Sequence, residues 1–146
     1  MQKIMLLLSF TLATFLVSYS GYTQSDEQTA MAQNSLVQVI DFHGTHRCIT
    51  CNAIEKRTKD ALDQYFKKEL DNGTVTFQTI NVDKKENEAI SEEFEAFGTS
   101  LFLNIITEGK SEKIDLTDFA FKYAREKDGS FEKGFVDEMN KALNKL

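Results

Sequence analysis

The chain of 146 residues has no proline, no tryptophan and only two cysteines. Average usage would place roughly 7 prolines in a chain this long. Their absence excludes cis-proline turns, polyproline segments and a proline-rich linker. The two cysteines, Cys48 and Cys51, exclude a scaffold held by several disulfides. A basic block is also missing: 17 Lys and Arg stand against 23 Asp and Glu, a net charge of −6. Such a chain lacks the basic stripe that neutralises a phosphate backbone, so no nucleic-acid partner is expected. The charges are interspersed and serve solubility. What remains is an ordinary globular composition, 41% hydrophobic and 27% charged, at a length that suits one domain.

The first 20 residues read as a secretory signal peptide. Lys3 is the only charge before Asp26; a 14-residue apolar run, Ile4 to Val17, follows it, and then the small residues Ser18 and Ser20. Cleavage is expected between about residues 20 and 25. The run is short of the roughly 20 apolar residues a spanning helix needs, and Thr11 and Thr14 interrupt it, although an uncleaved anchor is the alternative. No cysteine lies near the cleavage region, which excludes a lipid anchor there. The expected mature protein is exported, periplasmic or extracellular, with no stable membrane insertion. A polar leader, 21–35, precedes a domain spanning 36–146.

Along that domain, Leu36 to Phe42 is nearly continuous in apolar residues, as a strand buried on both faces should be. From Cys48 the period becomes helical, with Ile54, Thr58, Ala61, Leu62, Tyr65 and Phe66 on one face and Glu55, Lys56, Lys59 and Asp60 off it. That helix is expected to reach about Leu70 and stop at Asp71-Asn72-Gly73. Thr74 to Val82 predicts a second strand. Lys85 to Phe97 predicts a helix with Ile90, Phe94 and Phe97 on one face, ending at Gly98. Leu101 to Ile106 and Glu112 to Leu116 predict a hairpin around Glu108-Gly109-Lys110. Helices over Asp118 to Lys127 and Phe131 to Leu146 close the chain. The order β-α-β-α-β-β-α predicts an α/β fold, a mixed four-stranded sheet with helices on both faces.

Cys48-Ile49-Thr50-Cys51 stands where the first strand hands over to the first long helix. A sulfur at a helix N-terminus meets unpaired N–H groups and the positive end of the helix dipole, which favours thiolate. Cys48 is therefore the expected nucleophile, with Arg47 and His46 as activating charges. Cys51, one turn further in, would resolve a mixed disulfide. A bridge over two intervening residues closes too small a loop to stabilise a fold much. Asp41 has two readings from its place in the sequence: a strand-end residue facing water, or a buried carboxylate with a task.

From about Val37 to Leu146 the chain resembles the thioredoxin superfamily. Val39-Ile40-Asp41-Phe42 is similar to the family's strand before its C-x-x-C. Ile80-Asn81-Val82-Asp83 is similar to its second-strand ending, and Gly98-Thr99-Ser100-Leu101-Phe102-Leu103 to the segment that carries its cis-proline. The resemblance implies a thioredoxin-like fold, a catalytic role for Asp41 as proton relay to Cys51, and a substrate-docking edge at Thr99 and Ser100, with Ser100 standing in the cis-proline place. It departs from the family at Arg47, where a Trp is usual, and at Ile49-Thr50 between the cysteines. More narrowly, His43 to Cys51 followed by Ile54-Glu55 resembles a small bacterial family named for a nitrophenyl-compound nitroreductase subunit and linked to arsenic-resistance operons.

These residues lead to an exported thiol–disulfide oxidoreductase-like protein. Its redox group would be the Cys48–Cys51 disulfide, with no other cofactor, and its partner a protein dithiol or disulfide, or a membrane reductant. Two alternatives stand beside it. Cys48, Cys51, His46 and His43 offer two thiols and two imidazoles within nine residues, a ligand set for Zn, Cu(I) or As(III) in a metal or metalloid binding module. The narrower resemblance implies a redox partner subunit of a nitroaromatic or organoarsenical reductase.

Overall fold

The computed structural model describes residues 35–146; the expected signal peptide and nearly all of the leader lie outside them. The first strand, β1 (Leu36–His43), is buried along most of its length. It runs parallel to β2 (Val75–Asn81) and antiparallel to β3 (Ser100–Thr107), which pairs antiparallel with β4 (Lys110–Asp115). The order across the sheet is β2-β1-β3-β4, so the apolar run read from the sequence occupies a central strand.

Strand alternation divides the core in two. Val37, Val39, Leu101, Leu103 and Ile105 face the larger cluster, under α1 (Ile49–Tyr65), α4 (Thr117–Tyr123) and α5 (Ser130–Leu143). Ile40, Phe42, Ile80 and Phe102 face the other side, where Phe94 and Ala96 cover them at the end of α3 (Glu88–Glu93). Phe42, Phe94 and Phe102 pack ring against ring at 5.4 to 5.9 Å between centroids. The mixed four-stranded α/β architecture with helices on both faces is the one expected. Among the described residues no helix is long and apolar enough to cross a membrane.

Local boundaries differ from expectation in two places. The first long helix stops at Tyr65 because Phe66 leaves helical geometry (φ −129°) as it enters the core; a short α2 (Lys67–Asp71) follows. The expected helix over 85–97 is instead a 3-10 turn, Lys85–Asn87, followed by the six residues of α3. Glu95 adopts φ 52°, the Ala96 amide donates to the Ser91 carbonyl and the Glu95 amide to Glu92, so a Schellman-type cap ends the helix well before Gly98. The period is broken there, Ala96 takes the buried place, and Phe97 turns outward, 83% exposed. The hairpin turn is as read, with Glu108 and Gly109 both at positive φ (53° and 75°), the two-residue geometry that suits the sheet twist.

Gly134 on α5 packs directly beneath Phe119. A Cβ there would lie 2.4 Å from Phe119 Cε2 and 2.8 Å from Cζ. Gly134→Ala is expected to lower stability by about 1 kcal/mol, overpacking of about 1–3 kcal/mol being partly offset by alanine's better helix propensity. Thermal melting checks this; an unchanged or raised midpoint would refute it.

Candidate functional site

Four residues, Gly44 to Arg47, connect β1 to Cys48. The loop is pinned to the end of β2: the Thr45 amide donates to Asp83 Oδ2 (2.7 Å), and Asn81 Nδ2 donates to Thr45 Oγ1 (3.2 Å). The Thr45 amide is also the main reason the Asp83 carboxyl lies below the usual carboxylate range. His43 Nδ1 donates to the Gly44 carbonyl (2.9 Å), and His46 is exposed.

Cys48 caps α1 in extended geometry (φ −76°, ψ 168°), and its Sγ accepts from the Cys51 amide at 3.0 Å. The two cysteines form a disulfide with Cα atoms 5.0 Å apart. Their exposure is unequal: Cys48 faces solvent, whereas Cys51 is 7% exposed. The first turn of α1 holds no acidic side chain, so nothing there opposes the helix dipole at the Cys48 sulfur. An incoming group meets one sulfur and is shielded from the other.

Asp41 shares the face of β1 with Val37 and Val39 and is fully buried on the side that α1 covers. Its Oδ2 accepts from Arg47 Nη2 at 2.7 Å, while Oδ1 has no hydrogen-bond partner. Burial, only partly countered by the Arg47 charge, raises the carboxyl from its ordinary 3.8 to about 6. Arg47 also bonds Glu55, which in turn accepts from Lys59 at 2.5 Å. Hydrogen bonds, from Lys59 foremost and then from Arg47, hold the Glu55 carboxyl below its ordinary value.

The guanidinium of Arg47, expected as an activating charge for Cys48, is thus directed to Asp41 and Glu55. The helical period alone places Glu55 on the helix's outer face. Its place eight residues after Arg47 is no helical spacing, because Arg47 lies in the loop; the opposite charges were the only available signal.

Ser100 opens β3 opposite Phe42, and Thr99 precedes it, so both lie at the end of the sheet from which the Cys48 loop departs. Both are half-buried, and their peptide bond is trans, as a non-proline bond should be. Phe97, just before them, and Ile49, between the cysteines and 77% exposed, are the large apolar side chains most open to solvent among the described residues. The alternative ligand set is not assembled: among the described residues no group of three or more His, Cys, Asp or Glu side chains converges on a point a metal ion could occupy. The cysteines are joined to each other, and His43 turns to the backbone.

The fold is thioredoxin-like. That follows from strand order, strand directions and the placement of the cysteine pair between the central strand and the first helix. Among solved structures, the chain is similar to oxidised mitochondrial thioredoxin 3 from Saccharomyces cerevisiae, at 23% identity and a TM-score of 0.41, over 66% of this chain and 82% of that one. It is also similar to a structure described as a malarial protein, at 15% identity and a TM-score of 0.38, over 60% and 93% of the two chains. No family model and no curated protein matches the chain.

Proposed function

We propose that this chain is an exported thiol–disulfide redox protein that exchanges electrons with a disulfide or dithiol of another protein. The observation that carries this reading is the unequal cysteine pair, an exposed sulfur at a helix cap bonded to a buried one. In the reducing direction the Cys48 thiolate attacks a partner disulfide; a Cys48–partner bond forms, the partner S–S bond breaks, and one partner sulfur leaves as thiolate. Cys51 gives its proton to Asp41 and attacks Cys48 Sγ. The second partner thiolate leaves and the Cys48–Cys51 bond closes. Two electrons pass to the partner, and a dithiol donor, such as a membrane reductant, restores the pair. The disulfide is the redox group, and no metal or organic cofactor takes part.

Thr99 and Ser100 form the edge along which a partner strand docks, with Ile49 and Phe97 as its apolar contacts. The charge pattern of residues 1–20 supports a site of action in the periplasm or outside the cell. The narrower resemblance of residues 43–51 favours, as a second reading, electron delivery to a reductase subunit; co-purification of such a subunit with the disulfide-trapped chain would distinguish it.

Graded thiol–disulfide buffers test the main reading. Both thiols are expected to appear together in one two-electron transition, and the reduced chain is expected to reduce insulin disulfides. A bridge that stays oxidised in excess dithiothreitol, or a reduced chain inert toward insulin, refutes it.

A further inference from the structure

We propose that Arg47 and Glu55 are positioning residues that set, in opposite directions, the ionisation of Asp41, and through it the pH at which Cys51 resolves a mixed disulfide. This rests on the redox reading above. Asp41 is fully buried, and the charged groups around it are few. Arg47 reaches it from the loop, Glu55 stands beyond Arg47 on α1 with Lys59 behind, and His43 shares its strand. The residues registered beside Asp41 on β2 and β3 are Thr79 and Leu101, neither of them charged. One cation therefore bridges two carboxylates, and it is the only one bonded to Asp41 among the described residues. The other Asp41 oxygen, Oδ1, is buried with no hydrogen-bond partner, which leaves it open to carry a proton.

The two neighbours act oppositely on the same equilibrium. Removing the Arg47 charge leaves the buried carboxylate without its counter-ion, so Asp41 keeps its proton to higher pH and the base is lost at neutrality. Removing the Glu55 charge takes away a like charge and leaves Arg47 to Asp41 alone, so Asp41 ionises at lower pH. A role confined to holding the loop in place would give neither shift, and certainly not a pair of opposite sign.

The test uses the reduced full chain and dithiobis(nitrobenzoate), an aromatic disulfide. Attack by Cys48 releases one thionitrobenzoate, and displacement by Cys51 releases the second while closing the Cys48–Cys51 bond. The rate of the second release, followed across the Asp41 titration, is expected to show a midpoint that Asp41→Asn removes. Arg47→Gln should move that midpoint up by about 1 pH unit and Glu55→Gln should move it down by a smaller amount. Arg47→Lys should return it toward the wild-type position, which a folding defect would not do. Shifts of the same sign, or midpoints unchanged in both variants, overturn the assignment while leaving the redox reading in place. Absence of two-step release from the wild-type chain overturns the redox reading itself, and the assignment with it.

Discussion

Cys48→Ser is expected to lose disulfide reduction by a factor on the order of 10³ or more, whereas Cys51→Ser is expected to keep the first attack and lose only the release. The difference follows from exposure and from the helix cap. Cys48 is the sulfur a partner can reach, and it sits where the first-turn N–H groups converge. Cys51 is 7% exposed and shielded from a partner, but its sulfur bonds that of Cys48 across Cα atoms 5.0 Å apart, so it is within reach for intramolecular attack. With serine at 51 nothing displaces the partner, so the variant should accumulate a covalent mixed disulfide visible by mass spectrometry. With serine at 48 no adduct should form. Insulin reduction gives the rates. An active Cys48→Ser protein, or adducts found on Cys51 in the wild-type chain, would reverse the assigned roles.

Much of this site is legible in the sequence. A buried strand, a Gly-containing loop and an amphipathic helix placed Cys48 at a helix start because each element has its own period. The burial of Asp41 is legible too: it has the parity of Val37 and Val39, and a two-residue period sends all three to one face. Three features were not legible. The left-handed Glu95 that ends α3 has no glycine to mark it, so the helical period runs on to Phe97 past the point where the helix stops. Phe66 interrupts α1 because tertiary burial of its ring outweighs helix continuation, and local propensity does not register that. The bridge from Arg47 to Asp41 and Glu55 depends on the course of a loop, and spacing rules for helices and strands do not extend to it.

Asp41→Asn is expected to make the protein more stable and slower at once. Asp41 in the folded chain holds its proton up to about pH 6, whereas in the unfolded chain it releases it near 3.8. Between those values the folded state binds more protons, so the stability contributed by protonated Asp41 is complete below the unfolded value and is lost as pH rises through about 6. A shift of that size corresponds to about 2–3 kcal/mol of destabilisation at alkaline pH. Asparagine keeps the shape, carries no charge at any pH, and leaves Arg47 paired with Glu55. Urea unfolding at mildly acidic and at alkaline pH should show wild-type stability falling between the two, a flatter response in Asp41→Asn, and a gain for the variant of about 2 kcal/mol on the alkaline side. Its release step should be slower by a factor on the order of 10² at neutral pH, the usual contribution of a positioned base. A variant less stable than the wild type at alkaline pH would mean that the Arg47 pair outweighs the burial of the charge. A variant equally fast would mean that the Cys51 proton leaves by another route. The combination expected is that of a buried charge kept for chemistry at the expense of stability.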